Sequence, residues 1–185
     1  MIRPPPLGDI LGRRTLIYGD VGVGKSQLLA EIIGQLVEKG YGEEITVVDM
    51  APKKIGKAGG EITMYLDVVG LRYLRPSHIY APRLQACNPD DLGRYVKANV
   101  ESLDKLLEKY KIAPTRVLAV NDVSIYLQGR TAAQLIEVLK LSETFIGSCY
   151  YGHSLDEDYG TGVSAWERRQ VEELIRWVDN PIYVS

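Results

Sequence analysis

Short apolar runs alternate with longer amphipathic stretches along almost the whole chain. Leu16, Ile17 and Tyr18 form one run, cut off by Gly19, and Ile45–Asp49 forms a second that is apolar at nearly every position. A strand without polar alternation is what a sheet covered on both faces requires. Between these runs, residues 26–39 carry Leu28, Leu29, Ile32, Ile33 and Leu36 on one helical face, and Gly40 ends the helix. Residues 78–81 read as another short strand. Asn88 followed by Pro89 then opens a helix to about Tyr110, with Val96, Val100, Leu103, Leu106 and Leu107 as its stripe. A strand at 116–120 delivers Asn121 and Asp122 to its carboxyl end. Helix 131–141, strand 144–148, helix 164–178 and strand 182–184 complete the series. Residues 50–77 are the least regular, with a Gly- and Lys-rich loop at 52–60 and an ambiguous stretch at 62–74.

Strands alternating with helices predict an α/β fold: a mostly parallel sheet, helices on both faces, right-handed crossovers. No linker divides residues 1–185, so a single domain is expected, with 1–12 as an extended segment stiffened by Pro4, Pro5 and Pro6. In such sheets ligands lie beyond the carboxyl ends of the strands, so the residues just after each strand are the candidates for chemistry.

Composition narrows the setting. A chain of 185 residues can bury a core without staples. A net charge of −2 argues against a surface that grips nucleic acid as a whole, although a local basic patch is compatible with it. Cys87 and Cys149 stand far apart with no metal-ligand spacing. The beginning of the chain has no signal-like apolar run, and no stretch approaches the ~18 apolar residues of a membrane span. A cytoplasmic protein with no membrane partner is the expectation.

The sharpest feature is Gly19-Asp20-Val21-Gly22-Val23-Gly24-Lys25-Ser26, which matches GxxxxGK[ST] in full. Its glycines let the backbone curl so that amide hydrogens point at phosphate oxygens, and the following helix adds the positive end of its dipole. Lys25 would meet the β- and γ-phosphates, and the Ser26 hydroxyl would ligate magnesium; Gln27 follows in the first helical turn. An apolar strand leads in and an amphipathic helix leads out, which is the context the motif needs. Asp20, an acid inside the loop, is expected to point away from phosphate or to pair with a lysine.

A carboxylate at the end of an apolar strand can hold magnesium's water shell, and Asp122 fits that role after residues 117–120. Many nucleotide hydrolases of this kind place a glutamate next, but here the position is Val123. Asp49, at the end of the second strand, is a candidate for orienting the attacking water, and equally an acid that caps or orients its loop. Glu61 and Asn121 are further candidates for that role. Ser148 either senses a terminal phosphate or is a satisfied strand-end hydroxyl. Lys53, Lys54 and Lys57, with Arg72 and Arg75 beyond, either contact a polyanion or form a solvated basic loop. Arg83, Arg130, Arg168 and Arg169 are candidates for an arginine finger.

From the run 16–28 and from the strand ending at Asp122, the chain resembles the RecA-like P-loop ATPases, including the recombinase and KaiC-like branches. The order of later elements is similar as well. The resemblance implies a three-layer sandwich whose loop strand and Walker B strand are separated by one strand. It also implies ATP as ligand and frequent homo-oligomers with nucleotide near subunit interfaces; magnesium is expected from the motif itself, and a protein partner is a further expectation. The chain departs from the recombinases at Met50-Ala51-Pro52, where they carry a catalytic glutamate, and it has no recombinase-type DNA-binding loops. The leading expectation is an ATPase whose nucleotide cycle drives conformational change or assembly, with nucleic acid as one partner to test. The alternatives are a nucleotide-gated binding module, a metallochaperone-type GTPase, a small-molecule kinase and a DNA-translocating or packaging ATPase.

Overall fold

A computed structural model describes residues 2–185. Its centre is a six-stranded sheet of β1 (Arg14–Gly19), β2 (Ile45–Asp49), β3 (Arg72–Leu74), β4 (Val117–Asn121), β5 (Thr144–Tyr150) and β6 (Asn180–Tyr183). The order across the sheet is β3-β2-β4-β5-β1-β6, and every pairing is parallel. This is the parallel α/β architecture expected from the alternation of elements. β5 lies between β1 and β4, the one-strand separation implied by the resemblance.

The period of two along the strands sorts their side chains between two cores. Leu118 and Val120 of β4 face one side, with Leu103 and Leu107 of α4 (Pro89–Ile112), Leu135 of α6 (Ala132–Leu139) and Leu174 of α7 (Val163–Trp177). Val117 and Ala119 face the other, with Leu29, Ile32, Ile33 and Leu36 of α2 (Lys25–Glu38). The central strands β2, β4 and β5 are buried at every position, in keeping with their largely apolar character. Among the described residues no helix is long and apolar enough to cross a membrane.

The structure departs from expectation at several places. Residues 78–81 form no strand; the third strand is Arg72–Leu74, inside the ambiguous stretch. The reason is local: Asn99 on α4 accepts from Tyr80 N at 2.8 Å and donates to Tyr80 O at 2.9 Å, taking the bonds a neighbouring strand would have made. Residues 1–12 were expected to be extended, yet α1 (Leu7–Ile10) makes one helical turn after the prolines because Ile10 is fully buried against the α2 core. Two further short helices, α3 (Pro82–Gln85) and α5 (Ser124–Leu127), lie beside the strand ends and shape the cavity described next.

Candidate functional site

β1 stops at Gly19, and the chain curls through residues 20–24 into the first turn of α2. Gly24, the N-cap, has φ 92°, a left-handed conformation in which a side chain would be strained. No side chain caps this helix, so the amides of its first turn keep their hydrogens for another acceptor. Lys25 donates from Nζ to the carbonyl oxygen of Asp20, curling back over the loop. Burial lowers the Lys25 pKa, opposed by Asp122, Cys149 and Asp20, so the ammonium sits where a further negative charge would be welcome.

Asp20 points outward, as its charge requires. Its carboxylate accepts from Val21 N at 2.7 Å and from His153 N at 3.3 Å. Burial works against ionisation, but these bonds and those from the Ser154 hydroxyl and amide hold the acid below its usual range. The close fit explains Gly152, where a Cβ would lie 2.3 Å from Asp20 Cγ. Asp20 therefore ties the glycine-rich loop after β1 to the segment after β5. Gln27 lies along the cavity and donates to Glu31 at 3.2 Å. Val23 packs its side chain against the α2 core instead of the ligand side.

The residue facing Ser26 is Asn121. Ser26 Oγ donates to Asn121 Oδ1 at 2.9 Å, and Ser148 Oγ donates to the same oxygen at 2.9 Å. The amide nitrogen of Asn121 donates to Asp49 Oδ1 at 3.0 Å and to Gly60 O at 3.2 Å. Both ends of the amide are thus in use. An aspartate at 121 would set its carboxylate against that of Asp49, which explains why the strand ends in asparagine.

Asp49 is fully buried and its oxygens are fully engaged. Oδ1 also accepts from Ala51 N at 3.2 Å, and Oδ2 accepts from Ile62 N at 2.8 Å and from the Tyr73 hydroxyl at 2.9 Å. Arg75 stands 3.6 Å from Oδ1 and pairs with Glu61 at 3.0 Å. Burial and the Asp49 charge push the Tyr73 hydroxyl pKa up, so it remains a donor. The candidates Asp49 and Glu61 therefore stand behind the cavity wall, tied into a network that orients the loops after β2.

Asp122 is placed differently. It has φ 59°, in the left-handed region, where the chain turns from β4 into α5. Its N–H donates to Ser148 Oγ at 3.0 Å, and its carboxylate accepts from the Ser124 hydroxyl. Burial raises its pKa, while Ser124, Lys25 and Arg83 pull the other way. Ser148, left open by sequence as a sensor or a satisfied hydroxyl, joins Asn121 to the Asp122 backbone.

Lys25, Ser26 and Asp122 border one cavity of about 460 Å³, together with Lys54 and Lys57 from the basic loop. That volume is in the range of small-molecule sites. Asp122 is the only carboxylate on its wall among the described residues. Of the four arginine candidates only Arg83 borders it. Arg83, on α3, is locked into a buried pair with Glu167 on α7 at 2.9 Å, and Gln128 donates to the same carboxylate at 2.9 Å. Burial pushes the Glu167 carboxyl up to about 7, against the pull of Arg83 and Gln128. Arg130 pairs with Asp104 at 2.6 Å, and Arg168 lies over the Tyr151 ring at 4.1 Å. Sequence reasoning missed the roles of Gln128 and Glu167, which sit 39 residues apart and carry no motif.

No family model matches the chain, and no curated protein matches it. Among solved structures it is similar to a prototypical ATPase from the type III secretion system of pathogenic bacteria, at 15% identity and a TM-score of 0.45. The likeness covers 95% of this chain and 52% of that one, so the chain spans about half the length of the protein it resembles.

Proposed function

We propose that the chain is a RecA-like P-loop ATPase that binds ATP with magnesium and hydrolyses it slowly. Its bound state would drive a conformational or assembly change. The observation that carries this reading is the joining of a complete phosphate loop to a strand-end carboxylate across one cavity: Lys25, Ser26 and Asp122 share its wall. Uncapped first-turn amides and Lys25 suit the β- and γ-phosphates. The residues fit a magnesium ion that keeps most of its water, since such a site needs few protein ligands: the Ser26 hydroxyl and a carboxylate that reaches bound water. When bound, the metal would neutralise charge on the phosphates. Ser26 would give up its bond to Asn121 and turn its oxygen to the metal. Asn121 would hold its place through Asp49 and Gly60. Asp122 would hold the water shell, and its raised pKa makes that role pH-dependent.

A second reading, a nucleotide-gated module with little turnover, is favoured by one specific observation. The cavity wall carries a single carboxylate among the described residues, so the acid that serves the metal is not matched by another to orient water. The test is phosphate release from ATP and from GTP with magnesium, alongside the affinity for each, with Lys25→Ala as control. Turnover of ATP that vanishes in the variant supports the ATPase. Tight ATP binding without turnover supports the gated module, and unchanged ATP affinity in Lys25→Ala overturns both.

A further inference from the structure

The basic loop after β2, which sequence left open between a polyanion contact and a solvated turn, is a hairpin. Ile55 and Ala58 exchange both backbone bonds, at 2.9 and 3.0 Å, and Gly56 turns the tip with φ 59°. Its base is fastened to the same network that holds Ser26. Gly60 N donates to Pro52 O at 2.9 Å, Asn121 Nδ2 donates to Gly60 O at 3.2 Å, and Arg75 donates to Ala51 O at 2.6 Å. The tip lies over the phosphate loop: a Cβ at Gly22 would sit 3.5 Å from Lys57 Cβ. Lys54 and Lys57 border the cavity, whereas Lys53, on the same hairpin, does not. Among the described residues neither Lys54 nor Lys57 has a carboxylate within 4.0 Å. Two exposed cations without partners, held against a phosphate-binding loop by a braced backbone, have one obvious complement.

We propose that Lys57 is a further catalytic residue of this site: its ammonium contacts the terminal phosphate of the bound triphosphate and stabilises the charge that builds there during hydrolysis. The proposal rests on the ATP-binding reading above. In hydrolysis water forms a bond to the γ-phosphorus, the bond from that phosphorus to the bridging oxygen breaks, and ADP and phosphate leave with release of a proton. Negative charge grows on the bridging oxygen and spreads over the oxygens of the transferred group, and a cation fixed beside them is worth more there than in the ground state. The neighbouring arginine, Arg83, is held by Glu167, which leaves the lysine hairpin as the source of uncommitted positive charge. A finger supplied by the chain's own hairpin would let one copy complete its site without a neighbour. Lys54, on the other arm of the hairpin, would contribute ground-state attraction to the phosphates.

The experiment compares the full chain with Lys57→Ala, Lys57→Arg and Lys53→Ala. Because the side chain is exposed at a hairpin tip, Lys57→Ala should fold as the parent does. Two readouts are taken: steady-state phosphate release, and the affinity for ADP with magnesium measured with and without aluminium fluoride, which mimics the group in transfer. Loss of a single stabilising donor in such sites lowers turnover by roughly 100-fold. Lys57→Ala is therefore expected to lose about that factor in turnover, with ATP affinity changed less than about 5-fold. It should also lose most of the affinity that aluminium fluoride adds. Lys57→Arg should recover part of both, and Lys53→Ala neither loses nor gains. Parental turnover and parental aluminium fluoride gain in Lys57→Ala overturn the proposal while leaving the ATP site intact. So does a parent that binds ATP but gains nothing from aluminium fluoride. A parent that binds no ATP sinks the underlying reading first, which separates the two failures.

Discussion

Replacing Asp49 separates an acid that orients water from one that holds loops in place. The carboxylate receives four hydrogen bonds, from Ala51 N, Ile62 N, Tyr73 Oη and Asn121 Nδ2. In Asp49→Ala the Tyr73 hydroxyl and Arg75 are near enough to the surface to find water. The buried donors on Ala51, Ile62 and Asn121 are not, and each stranded donor costs about 1–3 kcal/mol. Removing a desolvated charge offsets part of this, so a net loss of about 4 kcal/mol is expected, a large share of a typical domain's ~5–15 kcal/mol. Asp49→Asn is the sharper variant, because it keeps the shape and turns one acceptor into a donor. If the new amide faces Asn121, two NH2 groups meet. If Asn121 flips to avoid this, its oxygen deserts both Ser26 and Ser148. If the new amide faces Ile62 instead, the Ile62 N–H loses its acceptor. A loss of about 2–3 kcal/mol follows in each case, and when Asn121 flips the fault passes to Ser26. Urea unfolding without nucleotide reads this directly. With a slope of about 2 kcal/mol/M, the midpoint should fall by about 1 M for Asp49→Asn and about 2 M for Asp49→Ala. A midpoint within about 0.3 M of the parent, together with lost turnover, would show that Asp49 works on the reaction and that its network is incidental.

Three other outcomes follow from the same geometry. Asp122→Asn should bind nucleotide with its magnesium dependence reduced, yet be at least as stable as the parent at pH 7. A carboxyl whose folded pKa is raised contributes stability below its unfolded pKa of ~3.9 and loses it as pH rises through the folded value, and asparagine tolerates the left-handed backbone there. By the same sign, magnesium-dependent ATP affinity of the parent should fall on acidification more steeply than that of Asp122→Asn, since the nucleotide's own phosphate titrates in both and the carboxyl only in the parent; parallel titrations from pH 7 to 4 refute it. Asn121→Asp should destabilise the protein by about 2–4 kcal/mol at pH 7 by facing two carboxylates across 3.0 Å, with recovery on acidification; thermal melts at two pH values decide it.

What sequence could and could not reveal follows from the range of the interactions. The glycine-rich loop after β1 is local: the curl of 19–24, Lys25 and Ser26 are consecutive in the chain, so a string and its flanks suffice to place it between strand and helix. The strands of the sheet interior are legible because burial on both faces removes polar residues from β2 and β4. The strand at 78–81 was misread because its bonds go to Asn99, a partner 19 residues away that no periodicity marks. Asn121 and Asp49 are 72 residues apart, and Arg83 and Glu167 are 84 apart. Each member alone reads as an unremarkable polar residue. By rule a strand-end acid such as Asp49 points to the ligand side, which makes it a candidate for catalysis. Burial and four donors, visible only in three dimensions, assign its oxygens elsewhere.

The charges on the cavity wall carry the argument one step further. Arg83 is tied into a buried pair with Glu167, so the cations left free on the wall are Lys25, Lys54 and Lys57, with Asp122 as the single carboxylate. The wall is therefore net positive, which suits the net negative charge of a triphosphate carrying magnesium. Had Asn121 been an aspartate, its carboxylate would oppose that of Asp49 behind the wall. Asn121 and the lysine hairpin therefore belong to one solution. The acid displaced from position 121 stands at 122, the amide at 121 holds the serine and the base of the hairpin together, and the hairpin supplies positive charge to the wall.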